Sequence, residues 1–415
     1  MTIKRRRVVI TGLGIVSPLG NSPETFFNKI IAGISGIGPL KADFVELLDT
    51  RIAAQADFNG TDHFSKQQLA LMDRVSQFAL YAANQAVADS GLSFPDLDLR
   101  RAGVYIGTGM GGASSTEEGY VRLYKEQLKR LKPFTVLMAM NNAAAAQIAM
   151  EYSLQGPNMT FSTACASSAV AIGEAYRQIQ YGLTDVMLAG GTEALLTFGT
   201  IKAWEALRTL AQEDPSNPAN SCKPFAADRT GLVLGEGAAI LVLESYESAK
   251  ARGAKIYAEV SGYGTCNDSG HITQPSMDGQ ANAIEAALAS ANLQADAIGY
   301  INAHGTATVL NDATETLAIK KVFGNETKVP VSSTKSMHGH LMGAAGAVEI
   351  LATALALTNE LLPPTINLNN PDPACDLDYI PNVARKSPNI GHAMANSFAF
   401  GGTSGVLILS HSRML

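Results

Sequence analysis

The chain has 415 residues, 46% of them hydrophobic and only 16% charged, which is enough to bury a large core and to build two domains or one duplicated fold. A net charge of −6 and a pI near 5.7 argue against nucleic acid as the main partner. Four cysteines, Cys165, Cys222, Cys266 and Cys375, form neither a CxxC pair nor a disulfide framework and point to a reducing, cytoplasmic setting.

The basic-then-apolar start superficially resembles a signal peptide, but Gly12, Gly14 and Pro18 interrupt it, and Val8, Val9 and Ile10 suit a buried strand. Strands are expected at RVVITG (7–12), AGVYIG (102–107), DVMLAG (185–190), AAILVLE (238–244), YAEVSG (257–262), IGYINA (298–303) and GVLILS (405–410). Helical patterns fall at FFNKIIAG (26–33), MDRVSQFALYAANQAVADSG (72–91) and in the runs beginning at Cys165 and Gly343. This alternation is the α/β signature. No uninterrupted apolar run reaches the roughly 20 residues of a bilayer span, so no membrane partner is expected.

The chain repeats its order of parts. MTFSTACASSAVAIGEAYRQIQYG and VPVSSTKSMHGHLMGAAGAVEILATALAL each read as a strand, a Ser/Thr turn and a small-residue helix. Each precedes a Gly-rich turn into an apolar strand, GLVLGEGAAILVLES or FAFGGTSGVLILSH, and AGVYIGTG and IGYINAHGT form a third matching pair. The period exceeds that of a solenoid, so a half-domain is duplicated. The join falls near Lys250–Lys255, dividing the chain into 1–253 and 254–415.

Three stretches carry chemistry. In STACASSAV, Cys165 precedes a helix whose N-terminus would stabilise a thiolate and lower its pKa; the alternative is a small buried hydrophobe. In INAHGTATVLND, His304 ends an apolar strand, where α/β folds place reactive groups, though a capped structural histidine fits equally. In STKSMHGHLMGAAG, His338 and His340 sit among methionine and alanine without acidic or cysteine ligands nearby, so no metal is expected. Ser332–Lys335 fits an SxxK hydrolase pattern without its companion motifs. GTGMGG (107–112) meets a dinucleotide-loop spacing, but lysine and arginine stand where the acidic residue belongs, so it reads as close backbone packing. A cysteine, two histidines and a lysine without metal suit carbon–carbon bond formation at a thioester. Thiolate attack makes an acyl-enzyme, and two neutral imidazole N–H donors stabilise the enolate that decarboxylation of a malonyl group leaves.

These residues stand in motifs that resemble the β-ketoacyl-[acyl-carrier-protein] synthases, most closely the type II elongating enzymes. The likeness runs from VVITGLGIVSPLGN through TACASS, FAADRTGLVLGEGAA, NAHGTAT and KSMHGHLMGAAGAVE to PPTINL and NSFAFGGTS. It implies the thiolase fold, two duplicated halves stacked α-β-α-β-α. By the same resemblance Cys165 is the acyl-accepting nucleophile and His304 with His340 serve decarboxylation and condensation. Lys335 supports the site and Glu349 orders it; Asp312 matches the family's acidic position after the HGT turn. The backbone N–H groups of Cys165 and Phe400 form the oxyanion hole, Phe400 gates the acyl pocket, and Thr306 and Thr308 touch the phosphopantetheine arm. Met110 and Trp204 line the acyl pocket, while Lys129, Arg130, Lys132 and Arg208 are candidates for docking an acidic acyl carrier protein. No bound cofactor is implied, since the substrates ride on that carrier's arm. The family's dimers imply a homodimer, or a heterodimer with a cysteine-less paralogue in a specialised polyene or polyketide pathway. A non-catalytic chain-length factor is disfavoured because Cys165, His304 and His340 are all present.

Three positions depart from the family pattern. His338 stands where threonine is usual and is expected to pack or dock rather than catalyse. Ala399 replaces a glycine of the gate, with stiffening expected because alanine tolerates positive φ poorly. Ser404 replaces an asparagine.

Overall fold

The computed structural model describes residues 5–415. Among these, ten strands form one hydrogen-bonded array. The first half contributes β1 (Val8–Val16), β2 (Ala102–Gly107), β3 (Asn158–Phe161), β4 (Val186–Glu193) and β5 (Gly237–Ser245). The second contributes β6 (Ala258–Asn267), β7 (Ile298–Asn302), β8 (Val331–Ser332), β9 (His392–Phe398) and β10 (Thr403–His411).

Both halves use one topology. In each, the spatial order is third, second, fourth, fifth and first strand. The second strand pairs in parallel with the third and fourth, and the fifth runs antiparallel to the fourth and first. The halves meet where Val8–Ile10 of β1 pairs antiparallel with Ala258–Val260 of β6. AGVYIG and IGYINA therefore occupy equivalent places, as their matched sequences imply. Strands such as β5 are apolar along their length rather than alternating because both sheet faces are covered.

Five helices build the layers: α1 (Arg74–Ser90), α2 (Ser167–Gln180), α3 (Met277–Ala291), α4 (Val309–Phe323) and α5 (Ala345–Asn359). Helix α1 starts at an Asp73 cap, ends at left-handed Gly91 and covers β1 and β5 from outside. Helix α3, capped by Ser276, covers β6 and β10 in the same way. Between the sheets lie α2 and α5, packed on each other. Their backbones approach so closely that a Cβ on Gly346 would come within 2.9 Å of the Ala169 nitrogen, and Ser168 Oγ accepts the Ala347 N–H at 2.9 Å. The result is the α-β-α-β-α sandwich of the thiolase fold. The stretch Met342–Asn359 has a mean hydropathy of 1.3, enough for a membrane span by length and composition, yet 89% of it is buried as the central core helix.

Candidate active site

Cys165 sits at the junction of β3 and α2, in a tight turn over Ala164–Ala166. Ser167 Oγ accepts the Thr163 N–H at 2.9 Å and donates to the Ala164 carbonyl at 2.7 Å, folding the chain sharply. Ala164 is left in the left-handed region at φ +48°, a strained position for a residue with a Cβ. A Cβ on Gly107 of β2 would lie 2.2 Å from the Ser168 nitrogen, so close packing explains this member of GTGMGG. Burial pushes the Cys165 thiol up to about 12, against the pull of Lys335 and the Phe400 N–H. The lowered pKa expected from the helix N-terminus is therefore corrected: desolvation wins, and the resting sulfur carries its proton.

His304 follows β7. Its backbone N–H and that of Gly305 each donate to Glu315 of α4 at 2.8 Å, which clamps the turn. Gly305 has φ +37°, and a Cβ there would fall 2.5 Å from that of Ser333, whose hydroxyl bonds the Gly305 carbonyl. Thr308 caps α4, and its hydroxyl lies 2.9 Å from that of Thr306.

Between β8 and α5 the chain holds Lys335, His338 and His340. Lys335 is fully buried; its ammonium donates to Glu349 of α5, to the His304 carbonyl at 2.7 Å, and lies 3.4 Å from His304 Nδ1. Burial pushes Glu349 up to about 7 while Lys335 pulls it down. His340 is held by its backbone, which donates to Val233 at 2.7 Å and accepts from Gly235 at 2.9 Å. His340 Nδ1 accepts the Met342 N–H at 3.2 Å. An ammonium on one ring and an amide N–H on the other both require an accepting Nδ1, so each imidazole carries its proton on Nε2. Burial and the nearby Lys335 charge hold both histidines well below the usual imidazole range, hence neutral.

His338 differs. Its Nδ1–H donates to the Gly339 carbonyl at 2.8 Å, and its Nε2 takes the Thr334 hydroxyl at 3.0 Å. Burial lowers it to about 3, and the ring packs 6.2 Å from that of Phe26. With both nitrogens satisfied inside its own turn, it faces the fold rather than the cavity.

Cys165, His304 and His340 line one cavity of about 220 Å³, together with Arg208, Thr306, Thr308 and Phe400. Their sulfur and ring nitrogens lie within 4.8 Å of one another. That donor set would suit zinc in isolation, but a buried ammonium beside His304 Nδ1 opposes a divalent cation. The trio instead presents a thiol and two imidazole N–H donors to a common point, an arrangement able to hold a carbonyl or enolate oxygen beside a nucleophile.

The remaining sequence candidates fall as follows. Asp312 is buried, raised to about 6 by desolvation, and accepts the Phe225 N–H at 2.8 Å. Trp204 stacks on Phe400 with ring centroids 6.1 Å apart. Met110 lies outside the cavity lining, a residue 47% exposed whose backbone N–H bonds Glu193. Lys129 and Arg130 are exposed, whereas Lys132 pairs with Glu118 at 2.6 Å. The left-handed positions of the gate loop are Gly401 (φ +83°) and Gly402 (φ +81°), not Ala399, so alanine there meets no backbone strain and the expected stiffening is corrected. Ser404 lines the cavity. Two buried carboxylates went unanticipated. Glu315 is one. Glu193 is the other: it accepts the N–H groups of Gly109, Met110 and Gly343, tying the two halves together behind Cys165. Its place at the C-terminal end of an apolar strand was the available signal.

The family model "Beta-ketoacyl synthase, N-terminal domain" matches residues 5–249, and "Beta-ketoacyl synthase, C-terminal domain" matches 257–369. The 3-oxoacyl-[acyl-carrier-protein] synthase 2 of Staphylococcus aureus is 42% identical over 409 residues, covering 98% of each chain. Among solved structures, the ishigamide ketosynthase/chain length factor superposes with a TM-score of 0.91 at 36% identity, covering 98% of this chain and 99% of that one. A type II polyketide synthase acyl-carrier protein in complex with its ketosynthase bound to the hexaketide gives a TM-score of 0.89 at 36% identity, with the same coverage.

Proposed function

That the chain belongs to the β-ketoacyl synthase family is the premise from which we propose its reaction: decarboxylative Claisen condensation of a cysteine-bound acyl chain with malonyl-acyl-carrier protein, giving 3-oxoacyl-acyl-carrier protein and CO2 in fatty acid elongation. The convergence of the Cys165 sulfur and the two neutral imidazoles within 4.8 Å carries this reading. Cys165 attacks the acyl thioester, and its proton leaves on the departing carrier thiol. The backbone N–H groups of Cys165 and Phe400 hold the tetrahedral oxyanion. Malonyl thioester then enters past Phe400, its arm lying along Thr306 and Thr308. Its carbon–carbon bond to the carboxylate breaks, CO2 departs, and the Nε2–H groups of His304 and His340 bind the enolate oxygen. The enolate carbon attacks the acyl-Cys165 carbonyl, and collapse expels the thiolate, which takes up a proton from solvent. Lys335 and Glu349 are positioning residues that hold His304 and fix its tautomer. In this scheme the 1–253 half supplies the nucleophile and the 254–415 half the decarboxylating pair.

The partner state is part of the proposal. The segment from Tyr120 to Met159 exposes Tyr124, Phe134, Val136 and Met159, and β3 forms one edge of the array. Such an apolar face beside a free strand edge suits a second copy of this chain. The second reading is a ketosynthase of a polyene or polyketide pathway paired with a chain-length factor, favoured by the likeness to the ishigamide pair. Arg208, at the cavity, with Lys129 and Arg130 would receive the acidic carrier. Incubation with acyl- and malonyl-carrier proteins should yield the 3-oxoacyl product from this chain alone. Product only after addition of a cysteine-less paralogue would favour the second reading, and no product with any carrier thioester would overturn both.

A further inference from the structure

Three side chains lining the Cys165 cavity carry a buried polar atom with no hydrogen-bond partner among the described residues: Thr209 Oγ1, His340 Nε2 and Gln280 Oε1. Thr209 is partly exposed, and His340 Nε2 already has the enolate oxygen as its proposed partner. Gln280 has no place in the reaction scheme, although it is only 3% exposed.

Its surroundings fix which end of the amide is left over. Asn311 Nδ2 donates to Asp312 Oδ1 at 3.3 Å and to Glu315 Oε2 at 3.4 Å. Those carboxylates also accept the backbone N–H groups of Phe225, His304 and Gly305, so they act as acceptors throughout. Asn311 must therefore turn its nitrogen to them and its Oδ1 toward Gln280, whose Nε2 donates at 3.5 Å. Flipping Gln280 would set two carbonyl oxygens against each other. The oxygen is the end that remains unpaired, and a buried polar atom without a partner calls for an explanation.

Chemistry narrows the missing group. An amide oxygen cannot pair with a thioester carbonyl or a malonyl carboxylate, both acceptors; it requires an N–H or O–H. Gln280 lies near the start of α3, which packs on α4, whose cap Thr308 faces the same cavity with Thr306. We infer that Gln280 is a substrate-binding residue whose Oε1 accepts a hydrogen bond from an amide N–H of the carrier's pantetheine arm. This rests on the carrier-thioester reading above. The cavity would thereby recognise the arm by its amide as well as through the threonine hydroxyls.

The test is steady-state kinetics with S-malonyl-pantetheine and three analogues. In two, one amide N–H is replaced by ester oxygen; in the third, the hydroxyl is removed. Wild-type protein should lose roughly 5- to 10-fold in kcat/KM with one of the ester analogues. Gln280→Met should lose a similar factor with the parent compound, mainly in KM, and nothing further with that ester. An ester penalty undiminished in Gln280→Met overturns the inference, as does wild-type indifference to both esters, which needs no variant to fold. Sensitivity confined to the deoxy analogue also overturns it, by assigning the oxygen to the hydroxyl. Wild-type protein inert toward every pantetheine thioester, both alone and with a cysteine-less paralogue added, would instead overturn the carrier reading itself.

Discussion

The turn at Ala164–Ala166 and the turn at Met342–Ala344 are the same structure built twice. Each follows the third strand of its half, each leads into a buried central helix, and each opens on a non-glycine residue in the left-handed region, Ala164 at φ +48° and Met342 at φ +42°. What they carry differs. The first half places Cys165 in its turn; the second places Gly343 at the matching position, where its N–H binds Glu193. The first half also reaches its turn directly, through residues 162–163, whereas the second interposes 333–341, which hold Lys335, His338 and His340. The repeated topology thus supplies two equivalent strained turns, of which the first places Cys165 at the cavity. In the proposed reaction one is the nucleophile's seat, and the other has a longer approach that carries His340 and the lysine contacting His304.

The comparison is broken most severely at Cys165, the proposed nucleophile. Cys165→Ala should lower condensation at least about a thousandfold, read as 3-oxoacyl product, while leaving the fold intact because alanine fits the turn. His340→Ala should cost condensation about 10²- to 10⁴-fold, yet Cys165 should still become acylated, as seen by intact mass. Lys335→Ala strips Glu349 of its buried partner and should cost about 3–5 kcal/mol of stability, measured by denaturant unfolding, with activity falling as His304 loses its tethered tautomer. His338→Thr removes two hydrogen bonds internal to its turn. It should cost about 1–2 kcal/mol with turnover kept within a few-fold; loss of activity at unchanged stability would contradict its structural role.

The finest test uses pH. Because burial pushes the thiol up to about 12, alkylation of Cys165 by iodoacetamide should rise about tenfold per unit from pH 7 to 10, and a plateau near pH 8 would show a thiolate already formed. The histidines are shifted the other way. A lowered pKa means they protonate only at acidities well beyond the usual range, so decarboxylation should hold steady from pH 8 to 6.

Much of this was legible in the sequence. The matched pairs of strand–turn–helix stretches predicted the duplicated halves, because apolar strands and small-residue helices buried on all sides leave a strong pattern. Cys165, His304, Lys335 and His340 stood out as chemistry-bearing residues in Gly- and Ser-rich turns. What stayed hidden depends on long-range geometry. Glu193 and Glu315 act through donors that folding brings to them, chiefly backbone N–H groups joined by the side chains of Thr108, Asn311 and Asn396, and Gln280 looks like any helix-surface glutamine until α4 is packed against it. The Cys165 pKa likewise could not be weighed before its burial was known, since a helix N-terminus and desolvation push it in opposite directions.

The division of labour between the halves is tested most directly by one paired measurement. CO2 release from malonyl-carrier protein and the mass of acylated Cys165 would be followed in Cys165→Ala and His340→Ala. Cys165→Ala should still release CO2 while forming no acyl-enzyme, and His340→Ala should form the acyl-enzyme while releasing almost none. Loss of both activities in both variants, at unchanged stability, would contradict two separable half-sites.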